Sequence, residues 1–199
     1  MNERQAVEAL VGNLARFGEP PPVVVVTGSG LFGAVERFSL ETERTFADLG
    51  APESSVRGHP AKAQIRVDGA GRRLMCLLGR VHAYEGRAPA EVVRLLRAAV
   101  RWGCRTVVLT NAAGGLRPDA AVGELMAISD HINLTGLSPL VGPNVEDWGQ
   151  RFVDMSAVYC PSLMRRLRPF VASTGVYAGV LGPEYETPAM VRFLRHAGA

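Results

Sequence analysis

The sequence predicts an α/β fold with a mostly parallel, mixed central β-sheet flanked by helices, and three observations point there. Short β-branched runs alternate with segments of helical periodicity along the chain. Glycine-rich turns stand directly after two of those runs, at Gly28-Ser29-Gly30 and Asn111-Ala112-Ala113-Gly114-Gly115, where parallel sheets place their ligands. Two apolar runs, 63–67 and 73–78, flank Asp68-Gly69-Ala70-Gly71, which predicts a hairpin and so an antiparallel pair within the sheet.

The elements follow in order. Ala6, Leu10, Leu14 and Phe17 with Val7 and Val11 repeat at helical spacing, and Gly18 with Pro20-Pro21-Pro22 ends that helix. Val23 to Val26 is a continuous β-branched run that reads as a strand buried on both faces. Pro89 opens a helix whose Val92, Val93, Leu96, Ala99 and Val100 are assigned to one apolar face, with Gly103 as the stop. Thr106 to Thr110 reads as a second buried strand, and Leu125 to Ile128 as a short one running into Asp130-His131-Ile132-Asn133. Residues 135–152 read as a long loop, 161–170 as a helix, 175–181 as a strand, and a last helix begins near 187. The whole of 1–199 reads as a single domain.

Composition narrows the function class. The chain has 199 residues, 47% hydrophobic and 21% charged, as an ordinary globular domain does. Its longest apolar runs fall well short of the roughly 18–20 residues of a membrane span, and Met1-Asn2-Glu3-Arg4 is unlike the start of a secretory signal. A cytoplasmic location with no membrane partner is therefore expected. The net charge is only +3 despite a basic isoelectric point; basic residues are scattered and not interleaved with aromatics, which argues against nucleic acid. Cys76, Cys104 and Cys160 are odd in number and widely spaced, a pattern of free thiols and not of disulfides or metal ligands.

Four motifs carry chemistry. Gly28-Ser29-Gly30 offers converging backbone N–H groups and one hydroxyl to an oxyanion, although the same turn also serves as a plain strand-to-helix corner. In Gly79-Arg80-Val81-His82-Ala83-Tyr84-Glu85-Gly86, Arg80 supplies a bidentate fork for phosphate oxygens and His82 a second donor. Tyr84 adds a flat face with a hydroxyl for a sugar, and Glu85 a carboxylate to orient the arginine or a sugar hydroxyl. Small residues in Thr110 to Gly115 let backbone approach a planar ligand, with the Ala112 amide facing phosphate; tight packing is the alternative for Ala113 and Gly114. In Gly182-Pro183-Glu184-Tyr185-Glu186-Thr187, Tyr185 can stack on a base and Glu186 can accept from a ring N–H. Thr187-Pro188 is at the same time a helix N-cap with proline at the first helical position.

These blocks, with Leu31 after Gly30, Gly58-His59, Asp130 to Leu134 and Gly142-Pro143-Asn144, resemble the trimeric purine nucleoside phosphorylases, in order from about residue 20 onward. The resemblance implies a nucleoside phosphorylase fold and reversible phosphorolysis of inosine- or guanosine-type (deoxy)ribonucleosides to free base and (deoxy)ribose 1-phosphate. It implies phosphate binding by Ser29, Arg80, His82 and the Ala112 backbone, with Arg80, His82 and Glu186 carrying catalysis. By the same resemblance Tyr84 touches the ribose, and Phe152 is lent to a neighbouring subunit's ribose pocket, hence a homotrimer. Ala113, Gly114, Tyr185 and Glu186 hold the purine, and His59 lies in a loop near the site. Inorganic phosphate is a co-substrate, with no cofactor and no metal.

The family continues past the helix after Glu186 with strands bearing a phosphate-contacting serine and a Thr-Asn pair that reaches the purine. The resemblance thus implies a C-terminally truncated chain of weak or no activity. A methylthioadenosine phosphorylase is the sibling alternative, and a non-catalytic phosphate- or purine-binding remnant is the other. Glu186 favours 6-oxopurines, because a carboxylate accepts from their N1–H but faces a lone pair on adenine.

Overall fold

The computed structural model describes residues 2–56, 58 and 60–199; His59 lies outside them. The chain divides into two compact units, Met1–Ala112 and Ala113–Ala199. Among the described residues no helix is long and apolar enough to cross a membrane.

The first unit is built on a five-stranded sheet of order β2-β3-β4-β1-β5. Its strands are β1 (Val23–Thr27), β2 (Ser39–Thr45), β3 (Lys62–Val67), β4 (Arg73–Leu78) and β5 (Thr106–Leu109). β1 pairs in parallel with β4 on one side and β5 on the other. β2, β3 and β4 are antiparallel, so the sheet is mixed as the hairpin foretold. At the hairpin turn Asp68 accepts from the amides of Ala70 and Arg72, and Gly71 adopts a positive φ of 76°.

Helix α1 (Glu3–Leu14) starts with a reciprocal Asn2–Gln5 capping box and buries Ala6, Val7, Leu10 and Leu14. It packs on α3 (Pro89–Trp102), and Arg94 of α3 binds Glu3 at 2.7 Å. The core face of α3 is Leu95, Ala98 and Ala99, and Val100 is exposed. Of the face read from the sequence, Ala99 is buried, Val92, Val93 and Leu96 are half-buried and Val100 is exposed, so the buried stripe is displaced towards Leu95 and Ala98. The helix is apolar over more than one stripe, and only the position of α1 decides which stripe is inside. β5 also differs from expectation. It ends the sheet, and Val108 and Leu109 are exposed, because burial on both faces depends on neighbouring layers that a strand's own residues do not specify.

Two elements had no forecast. β2 is a polar strand at the sheet's edge, where alternation with a core face is absent. The short helix α2 (Phe46–Leu49) is opened by a capping box in which Thr45 Oγ1 accepts from the Asp48 amide and Asp48 accepts from the Thr45 amide, both at 3.0 Å. That Thr-x-x-Asp signal was present in the sequence.

The second unit pairs β6 (Met126–Asn133) with β7 (Ser173–Gly179) in parallel. β7 begins two residues earlier than its apolar run indicated. Helix α4 (Pro161–Leu167), extended by a 3-10 turn to Phe170, and α5 (Pro188–His196) complete the unit. Residues 135–152 form the long loop expected, with one 3-10 turn at Glu146–Trp148. Cys76 and Cys104 are buried and Cys160 is exposed, and all three are free thiols.

Candidate active site

The parallel strands β4, β1 and β5 lie side by side and run the same way, so their C-terminal ends share one edge of the sheet. The chain leaves β1 at Gly28, β4 at Gly79-Arg80, and β5 at Thr110-Asn111. β1 is the middle strand of the three, so the turn that follows it stands between the other two. Three of the sequence motifs therefore meet through sheet pairing alone.

Their approach is close. A Cβ on Gly28 would lie 2.7 Å from the Thr110 carbonyl oxygen and 2.9 Å from Asn111 Cα, so only glycine fits there. The Gly28 amide donates to Thr110 Oγ1 at 3.0 Å, and Arg80 Nη1 donates to the Thr110 carbonyl at 2.8 Å. Ser29 is exposed beside Gly28, and Gly30 takes a φ of 80° before the 3-10 turn Phe32–Val35. A guanidinium, a hydroxyl and a glycine turn are the parts an oxyanion requires.

After Arg80 the chain folds into the 3-10 turn Ala83–Glu85. The Glu85 carboxylate is almost completely enclosed and well satisfied. Its Oε1 accepts from the His82 amide at 2.7 Å and from Ser54 Oγ at 3.0 Å, and lies 2.9 Å from His82 Nδ1. Its Oε2 accepts from the Ser55 amide at 2.6 Å and the Ser55 hydroxyl at 2.8 Å. Burial alone would push this carboxyl up, but the Ser55 amide and hydroxyl and the His82 ring and amide outweigh it. The pKa drops to about 2. Glu85 is therefore ionised at neutral pH and can only accept, so the contact with His82 Nδ1 is an N–H donated to the carboxylate.

The His82 ring stacks on Tyr84 with centroids 4.8 Å apart and planes 11° from parallel. Burial and then the negative charge of Glu85 raise the Tyr84 pKa, so the phenol keeps its proton. Beyond the role foreseen for it, orienting the arginine or a sugar hydroxyl, Glu85 ties the 54–55 segment to His82. Ser54 and Ser55 were missed. They are a polar pair in a loop whose partner stands 30 residues away, and nothing local to them signals that partner.

The remaining site candidates are placed as follows. Asn111 Nδ2 donates to the Ala112 carbonyl at 3.1 Å, and Ala112 closes the first unit as an exposed residue. Ala113, Gly114, Tyr185 and Glu186 belong to the second unit and are exposed, Tyr185 at 94%. Phe152 is 86% exposed. Thr187 Oγ1 accepts from the Met190 amide at 3.2 Å and Pro188 opens α5, as their sequence indicated. In the 130–134 block, His131 Nδ1 lies 3.1 Å from the Tyr159 hydroxyl, and Asn133 caps the turn to Leu137.

Comparison with known proteins agrees with this geometry. The family model described as Phosphorylase superfamily matches residues 18–199. The chain is 44% identical over 182 residues to purine nucleoside phosphorylase of Mycobacterium tuberculosis, covering 89% of this chain and 65% of that protein. It is 36% identical over 188 residues to purine nucleoside phosphorylase 1 of Bacillus subtilis, covering 91% of this chain and 69% of the relative. The chain thus spans about two thirds of the length of these relatives. The crystal structure of the purine nucleoside phosphorylase from Schistosoma mansoni in complex with acetate superimposes with a TM-score of 0.86 at 28% identity, covering 98% of this chain and 76% of that one. A sheet with glycine turns and an arginine fork at its parallel strand ends, matched by sequence and by fold, fixes the relationship: the chain belongs to the phosphorylase superfamily, among its purine nucleoside phosphorylases.

Proposed function

We propose that this chain carries the phosphate- and ribose-binding part of a purine nucleoside phosphorylase acting on inosine- or guanosine-type (deoxy)ribonucleosides. The observation that supports this most is the meeting of Gly28, Arg80 and Thr110 at three adjacent parallel strand ends. Phosphate binds to Arg80, His82, Ser29 and the Ala112 amide. Tyr84 packs on the ribose, with Phe152 reaching the ribose of a neighbouring subunit in a homotrimer. Tyr185, Ala113 and Gly114 line the purine, and Glu186 accepts its N1–H.

The chemistry asks for no covalent nucleophile. Phosphate attacks the anomeric carbon while the C–N bond breaks through an oxocarbenium-like state, as in glycoside cleavage. The protein's work is to hold the anion against the cationic sugar and to stabilise charge moving onto the purine. Arg80 and the loop donors do the first, and Glu186 shares in the second. No metal or cofactor is part of this scheme, and cytoplasmic purine salvage is the setting it fits.

The test is phosphate-dependent release of base from inosine and guanosine by the 199-residue chain. Turnover that requires phosphate supports the reading. Binding of phosphate or guanine without turnover replaces it with a non-catalytic binding protein. Preference for methylthioadenosine over inosine replaces it with the sibling activity.

A further inference from the structure

We propose that Thr110 is the positioning residue of the phosphate-binding half: it holds the Gly28 turn, the Arg80 guanidinium and the end of β1 in fixed relation. The inference rests on the phosphate-binding reading above and adds a residue to it. Thr110 stands where β5 ends and the loop begins. Its amide and its hydroxyl both donate to the Val26 carbonyl, at 3.0 and 3.1 Å. The same hydroxyl accepts from the Gly28 amide at 3.0 Å, and its carbonyl accepts from Arg80 Nη1 at 2.8 Å. One residue thus bonds to the end of β1, to the turn after β1 and to the side chain that follows β4.

Only a hydroxyl can donate to one carbonyl and accept from one amide at this point. Valine has nearly the same shape and can do neither. Removing the hydroxyl would leave the amide of the buried Gly28 without its acceptor, at the closest approach in the site, where a Cβ on Gly28 would also lie 3.2 Å from Arg80 Nη1. The Gly28 turn then shifts relative to the Arg80 guanidinium, and the two no longer present their donors together. Thr110 need not touch phosphate to do this.

The experiment is calorimetric titration of inorganic phosphate into the wild-type chain, T110V and T110S. The expected result is that T110S binds within about twofold of wild type, whereas T110V binds about tenfold more weakly at unchanged stoichiometry, the worth of one net hydrogen bond. A residue that merely supports folding would lower the stoichiometry and the thermal midpoint and leave the Kd of the folded fraction alone. An unchanged Kd in T110V, or a tenfold loss in T110S, overturns the inference while leaving the phosphate-binding reading intact. Absence of phosphate binding by wild type overturns both. Should T110V not fold, hydrogen exchange on the wild-type chain decides: the Gly28 amide is expected to be as protected as the β1 amides, and exchange at the rate of an open loop overturns the inference.

Discussion

The two units treat the same kind of task differently. In Met1–Ala112 the site candidates are locked by hydrogen bonds to one another and to the sheet: Gly28 and Arg80 to Thr110, His82 to Glu85, Glu85 to Ser54 and Ser55. In Ala113–Ala199 the candidates Tyr185 and Glu186 are exposed, and among that unit's apolar side chains only Ala127 and Leu194 are buried. The contrast follows from layers. A five-stranded sheet covered by α1 and α3 has an interior, whereas a two-stranded sheet with two short helices keeps Val141, Phe152, Phe170 and Phe193 at its surface. The proposed anion recognition, which needs donors fixed in place, falls in the unit whose candidates are hydrogen-bonded to one another.

Four changes would break or sharpen that contrast. The largest effect belongs to R80A, expected to weaken phosphate binding about a hundredfold through loss of a charge-assisted fork, read by calorimetry; a change below threefold would remove Arg80 from the site. Next is E85Q, which cannot satisfy the five donors that surround the carboxylate. It is expected to lower unfolding free energy by roughly 1–3 kcal/mol in denaturant titration. Its pH signature has a definite sign. Glu85 is depressed from 4.5 to about 2, so its contribution is complete above pH 4.5 and disappears as pH falls towards 2. Wild type should therefore lose stability faster than E85Q across that window, and parallel curves would contradict the clamp.

Smaller effects are expected in the second unit. Y185A should leave phosphate affinity unchanged and alter stability by less than about 0.5 kcal/mol, because the side chain is exposed. If Tyr185 stacks on the purine, guanine binding should weaken by about 1–3 kcal/mol in the same variant. Loss of phosphate binding in Y185A would erase the division between the units. T187A should cost about 1 kcal/mol at most, confined to α5 and visible as faster amide exchange in its first turn.

Much of this was legible from residue order. The Val23–Val26 run, the α1 spacing with its Gly18 stop, the Asp68–Gly71 turn and the Thr187-Pro188 cap each state their structure within a few residues, and each is found. The candidate site residues stood out as motifs because glycines and an arginine at strand ends are chemically unusual together. The buried face of α3 and the exposure of β5 were not legible, since both depend on which element lies alongside. Nor were the partners of Glu85 and Thr110, because hydrogen bonds that span 30 and 82 residues leave no local trace.

The sequence by itself thus determined the mixed α/β class, the family and the residue types of the proposed phosphate site, because those depend on local periodicity and on motifs. Tertiary structure alone decided how they work together. Parallel pairing of β4, β1 and β5 brings three distant turns to one edge, and only there does a threonine hydroxyl become the acceptor for one turn while its carbonyl aims another's arginine. Hydrogen-bond geometry is set by where the backbones pass, and that is a property of the folded sheet.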